Sequence, residues 1–122
     1  MSILSVKFFN VNNINNPILL AHAEDLSTMP LIARLTGSGS ELLLFISRLF
    51  VERTEKGKIQ GCNHDNYNGW VYHKINGIAG VIICSIDYDK RIALNFLQNF
   101  INIYEKRNAN WDWKTYKIDN KI

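Results

Sequence analysis

"YNGWVYHKINGIAGVIICSI", residues 67–86, is the stretch on which the fold turns. Asn76 and Gly77 both tolerate positive φ, so they read as the tight turn of a β-hairpin joining "YNGWVYHKI" to "GIAGVIICSI". The second of these strands is apolar almost without a break. A strand with one wet face would alternate apolar and polar residues, so this one is covered on both faces. The hairpin therefore belongs to a sheet with helices on both sides, or with a helix on one side and a partner on the other.

Immediately upstream, "SGSELLLFISRLFVERTEKG", residues 38–57, reads as a helix from about Ser40 to about Glu55. Ser38 and Glu41 match a capping box at its start, and Gly57 stops it. At about 100° per residue Leu42, Phe45, Ile46 and Leu49 form one stripe, Leu43 and Phe50 widen it, and Leu44 and Val51 fall almost opposite. Only Ser47, Arg48 and Glu52 interrupt the apolar circumference. That is more apolar surface than a helix on one sheet needs. Either the helix is touched on more than one side by its own domain, or its surplus face is a groove for another apolar element. The groove is the sharper reading, with Leu42, Phe45, Ile46 and Leu49 as its lining. Arg48 and Glu52 mark the solvent side, so Phe45, at the border, is expected to be half-exposed.

Downstream of the hairpin a second helix is expected from about Tyr88 to Glu105, capped by Asp87 or Asp89. It lines up Ile92, Ala93, Phe96, Leu97, Phe100, Ile103 and Tyr104 on one face and Lys90, Asn95, Gln98, Asn99, Asn102 and Lys106 on the other. This is ordinary amphipathicity. At the other end of the chain, residues 2–11 and "PILLAHA", residues 17–23, read as a hairpin across the Asn-rich "NNINN". Residues 24–40 follow as a loop held by Leu31 and Ile32, and "KIQGCNHDN", residues 58–66, is ambiguous, a short edge strand at most. The order is that of an α+β domain, a five-stranded antiparallel sheet sandwiched between helices, with residues 1–122 as one unit. The tail "NANWDWKTYKIDNKI" has no clear period and is expected to be a loosely packed or cut element.

The composition, 47% apolar and 20% charged over 122 residues, is that of an ordinary soluble globular domain. A net charge of +3 is spread along the chain instead of gathered in a stripe, which speaks for solvated surface and against nucleic acid. The longest apolar runs, residues 42–46 and 81–84, fall far short of the roughly 20 residues that span a bilayer. No signal peptide precedes Ile3, and Cys62 and Cys84 are far apart, so both read as reduced thiols in the cytoplasm.

No chemistry assembles convincingly. Cys62, His64, His73 and Cys84 lack the two close ligand pairs of a structural zinc site, and no orienting group completes a Cys–His nucleophile. The "GSGS" of Gly37 to Ser40 lacks the lysine and glycine spacing of a P-loop, and His22 has no partner visible in sequence. Trp70 and Tyr72 could stack bases, yet they are spaced as sheet residues without flanking basic positions, so an RNA-binding module is the weaker rival. We expect no metal, no cofactor and no enzyme.

Taken together, "DLSTMPLIAR", "FISRLFVERTEKG" and "NYNGWVYHKINGIAGVIICSIDYDKRIALNFLQNF" resemble the N-terminal longin domain of the prenyl-anchored, synaptobrevin-like R-SNAREs. The telling positions are Val51, Glu52 and Arg53 with Lys56 and Gly57, the strand from Tyr67 to Tyr72, Gly80 and Val81, and Tyr88 with Arg91. The resemblance implies a profilin-like longin fold in a regulatory domain of vesicle traffic in the Golgi and the vacuolar or endosomal system. In that family the domain folds back on its own SNARE motif and shelters a prenyl or palmitoyl anchor, in a groove between the first helix and the third strand. The groove phenylalanine of the family falls on Phe45. The resemblance further implies autoinhibition in a closed state, cognate SNARE proteins as partners, and cycling to endomembranes as a peripheral, lipid-anchored protein.

The chain also departs from the pattern. About two extra residues occupy Gly37 to Ser40, Ile32 and Ala33 replace an aromatic pair, and the third helix is short or missing. No SNARE heptads or lipidated cysteine motif follow, so these residues read as a regulatory domain whose fusion machinery lies elsewhere. A stand-alone longin subunit of a tethering or coat complex is the alternative.

Overall fold

The computed structural model describes residues 3–11, 17–25, 37–64, 67–107 and 120–121. In chain order these form β1 (Ile3–Asn10), β2 (Ile18–Glu24), α1 (Ser38–Arg53), β3 (Ile59–His64), β4 (Tyr67–His73), β5 (Ile78–Ser85), α2 (Lys90–Arg107) and the two-residue β6 (Asn120–Lys121). Five strands are antiparallel in the order β3-β4-β5-β1-β2, and β6 adds a short parallel edge beside β2. The α+β sandwich expected from the sequence is thus present, with one strand that was not expected. The ambiguous residues 58–66 contain β3, which among the described residues is bonded to β4 alone.

The Asn76–Gly77 turn closes as its residues require. Gly77 lies at φ 96 and donates its N–H to the Lys74 carbonyl at 3.1 Å, while Lys74 N–H reaches the Ile78 carbonyl at 2.9 Å. β5 then runs through the middle of the sheet, buried on both faces. Ala79, Val81 and Ile83 join the core under α1, and Ile78, Ile82 and Cys84 join the core under α2. Its unbroken hydrophobicity has this double burial as its cause.

Two glycines seat the helices. A Cβ on Gly69 of β4 would stand 2.6 Å from Phe50 Cε2, and one on Gly80 of β5 would stand 2.9 Å from Ile101 Cδ1 and 3.0 Å from Leu97 Cδ1. Gly69 therefore sets α1 down on one face and Gly80 sets α2 down on the other. The side chains of those contacts, Phe50, Leu97 and Ile101, are each fully buried.

Both helices differ from their sequence reading in extent and in face. α1 begins at Ser38, with Gly37 as N-cap at φ 78, so Ser38, expected as the cap, is instead the first helical residue. A left-handed residue without a Cβ lets the chain turn into the helix there, and Glu41 N–H bonds the Gly37 carbonyl at 3.1 Å. α1 ends at Arg53 with Thr54 extended, and Gly57 lies in the following turn, where its N–H meets the His73 carbonyl. The buried face of α1 is Leu43, Ile46, Ser47, Phe50 and Val51. Ser47 and Thr54 tolerate burial because their hydroxyls donate to the carbonyls one turn back, Leu43 at 2.7 Å and Phe50 at 2.8 Å.

α2 starts at Lys90 and runs to Arg107, two residues later at each end than expected. Asp89 is its cap, accepting from the N–H groups of Arg91 at 2.8 Å and Ile92 at 3.4 Å. The seven residues placed on one face divide: Ala93, Leu97 and Tyr104 are buried with Ile101, whereas Ile92, Phe96, Phe100 and Ile103 are exposed. The apolar arc is wider than the strip of sheet beneath it, and Gly80 decides which row goes down. The 24–36 loop from Leu26 onward, the tail through Asp119 and the expected shortness of a third helix lie outside the described residues.

Candidate interaction groove on the first helix

The sheet takes part of the α1 circumference and leaves the rest. Of the four residues read as groove lining, Phe45 is 59% exposed, Leu42 is 37% exposed, Leu49 is half-buried and Ile46 is fully buried. Phe45 thus stands where the sequence reading put it. Ile46 does not: it points into the sheet core with Leu43 and Phe50, because the seat of Phe50 on Gly69 rotates that row inward. The outer row is Leu42, Phe45 and Leu49, spaced three and four residues apart on one flank of the helix.

The two flanks of α1 meet different surroundings. Ser40 and Leu44 border a cleft with Lys7, Leu19, His22, Glu24 and Glu41, on the β1–β2 side. By helical spacing Leu42, Leu49 and Arg53 lie on the opposite flank, and Cys62 of β3 and Tyr67 of β4 are only partly buried against the core beneath α1. Burial pushes the Cys62 thiol up, an effect that the nearby Arg53 charge opposes.

The N-terminal turn of α1 is tied to the sheet by a charged cluster that sequence reasoning missed. Lys7, 1% exposed, donates to Glu24 Oε2 at 3.0 Å, and Ser40 Oγ donates to Glu24 Oε1 at 2.6 Å. His22 Nδ1 lies 3.8 Å from Oε1 of the same carboxylate. Burial raises the Glu24 carboxyl, but the Ser40 hydroxyl and Lys7 outweigh it and hold the group below the usual range. The available signal was one lysine inside "SVKFF", a position that burial permits only with a paired acid.

The residues weighed for other chemistries are kept apart. Cys62 packs against the α1 core and Cys84 lies in the α2 core, where burial pushes its thiol up to about 12. His73 Nδ1 is 3.1 Å from the Thr54 carbonyl, and the side chain of His64 lies outside the described set. Among the described residues no group of three or more His, Cys, Asp or Glu is placed to hold a metal ion. Trp70 is buried and Tyr72 half-buried under α2, so neither offers an open stacking platform. No helix among the described residues is long and apolar enough to cross a membrane.

The described residues thus define an α+β domain, a five-stranded antiparallel sheet with a helix packed on each face. Residues 32–120 match the longin family, described as a regulated-SNARE-like domain, and the chain belongs to that family. It is 30% identical over 97 residues to "Synaptobrevin homolog ykt6" of Schizosaccharomyces pombe, covering 80% of this chain and 48% of that protein. "VAMP-like protein YKT62" of Arabidopsis thaliana is 30% identical over 90 residues, 74% of this chain and 45% of the relative. "Synaptobrevin homolog YKT6" of Yarrowia lipolytica is 29% identical over 100 residues, 82% and 49% of the two chains. The chain spans about half the length of the curated relatives it matches. The family is one of SNARE-like domains, not of enzymes.

Proposed function

We propose that this domain regulates a lipid-anchored R-SNARE of vesicle traffic, and that the outer row of α1 is where it acts. In this reading Leu42, Phe45 and Leu49 receive an amphipathic SNARE segment or a prenyl or palmitoyl chain, holding the protein closed until a membrane engages it. Cognate SNARE proteins are the partners of the open state, and the protein cycles to Golgi and other endomembranes through its anchor. The observation that carries this is Phe45, an aromatic side chain 59% exposed at the centre of an apolar row. A phenylalanine gains about 1.5–3 kcal/mol on burial, a large share of a closed–open balance of a few kcal/mol.

The test is Phe45→Glu in the full-length protein. Opening should increase the hydrodynamic radius and move the protein onto membranes, while Phe45→Leu leaves both nearly unchanged. A protein equally compact and equally distributed after Phe45→Glu would remove the proposal.

A further inference from the structure

The outer edge of the sheet at β3 carries a notch that the row at Phe45 does not use. Gly61, Cys62, Asn63, Asn68 and Trp70 line it, and it is an open space of about 360 Å³. A Cβ on Gly61 would stand 3.2 Å from Trp70 Nε1 and 3.4 Å from its Cδ1, so the pyrrole edge of the indole lies across the strand there. Trp70 is 7% exposed, yet its indole N–H has no hydrogen-bond partner among the described residues. A buried donor normally has a protein partner, so one left over at the rim of a notch is available to a ligand. We infer that the notch receives a glutamine side chain of an extended peptide laid antiparallel along β3.

The backbone of β3 makes the ligand a peptide. The Lys58 carbonyl accepts from the His73 N–H at 3.0 Å, and the β3–β4 register then runs without a shift from Ile59↔Tyr72 to His64↔Tyr67. Backbone groups alternate in an antiparallel ladder, so Gln60 and Cys62 turn theirs to β4, whereas Ile59, Gly61 and Asn63 turn theirs outward. No strand among the described residues pairs with that edge. An added strand would exchange both hydrogen bonds with Gly61. The side chain of the residue facing Gly61 would lie on the Trp70 side of the sheet, over a strand position that has no side chain of its own.

The lining of the notch makes that side chain a carboxamide. The Trp70 N–H can only donate, so the ligand must bring an acceptor oxygen. Asn68 Nδ2 donates to the Ile86 carbonyl at 3.1 Å, which fixes the orientation of that amide and leaves Asn68 Oδ1 to accept. A primary amide supplies an oxygen to the indole and an N–H to Asn68. A carboxylate would bring the oxygen but no donor, and no cation lines the notch to balance its charge. An apolar side chain would cover the indole N–H without satisfying it. Trp70 belongs to the core beneath α2, so the notch opens on the face of the sheet away from α1 and acts independently of Phe45.

The probe is a set of synthetic strands of alternating Thr and Val with Gln, Glu or Leu at the centre, N-methylated along one edge so that they cannot pair with each other. Each is titrated into the whole chain and followed by the indole and backbone N–H resonances. The Gln strand should bind at least about tenfold more tightly than the Glu and Leu strands, the worth of one neutral hydrogen bond, and should move the Trp70 Nε1–H resonance downfield. Trp70→Phe should abolish that preference. Asn63→Lys, at an exposed position that leaves the fold intact, should turn the preference toward the Glu strand. Phe45→Glu should leave binding unchanged, which keeps this test separate from that of the groove. Equal affinity for the three strands, or none for any, overturns the proposal. So does binding that leaves the Trp70 Nε1–H resonance unmoved, or self-association of the chain through β3 that the Gln strand does not displace.

Discussion

The ring of Phe50 occupies the space that a side chain on Gly69 would need, 2.6 Å from the Cβ position to Cε2 and 3.0 Å to Cδ2. The Ile82 carbonyl stands 3.2 Å from the same point, so the added carbon is confined by an aromatic ring and by backbone at once. Gly69→Ala should cost about 2 kcal/mol by overpacking. Gly80→Ala should cost less, since its close neighbours are the mobile ends of Leu97 and Ile101. Urea unfolding of the two variants checks the order. Equal midpoints would show that α1 can shift outward without loss.

Glu24 makes stability depend on acid. Its folded carboxyl is held below the ordinary value, so its contribution is complete at neutral pH and is lost as pH falls through the folded pKa. Glu24→Gln keeps the shape but takes one negative partner away from the ammonium of Lys7, whose side chain is 2% exposed. We expect a loss of about 3 kcal/mol at pH 7 and a flatter acid limb in the stability profile. Parallel limbs in the two proteins would place the acid sensitivity elsewhere.

Phe45 and Ile46 are neighbours in sequence and opposites in burial, 59% and 0% exposed. Ile46→Ala removes packed core and should lower stability by about 2–5 kcal/mol. Phe45→Ala in the isolated domain should stay within about 0.5 kcal/mol. Thermal denaturation of the pair separates the core row of α1 from its outer row.

The two thiols should react very differently. Cys84 is fully buried with its thiol pushed up to about 12, whereas Cys62 is only half-buried, its thiol raised by burial against the opposing charge of Arg53. With a disulfide reagent at pH 8, one slow thiol should titrate in the native protein and both should titrate rapidly in denaturant. Two native thiols reacting at one rate would mean that the α2 side of the sheet opens readily.

For the candidate site, the sequence carried Phe45 to the border of the apolar face but could not orient the row beside it. Helical periodicity says which residues share an arc. When the arc is wider than the contact beneath it, several rotations satisfy the pattern equally. Ile46 on α1 and the row from Ile92 to Ile103 on α2 were misplaced for this one reason. The Lys7–Glu24–Ser40 cluster was invisible for another: its members are 17 and 16 residues apart from the shared carboxylate, and nothing local marks them as partners.

What the sequence determined by itself is the part of the fold written in short-range chemistry. Asn76–Gly77 makes the turn, the apolar run of β5 demands cover on both faces, and an aspartate, Asp87 or Asp89, starts the second helix. Tertiary structure decided the rotation of each helix on the sheet. That choice is made by contacts between distant residues, Phe50 on Gly69 and Leu97 with Ile101 on Gly80, where a missing Cβ lets one row settle and leaves its neighbour outside. The apolar rows left exposed on the two helices are therefore the ones that two glycines in the sheet did not take.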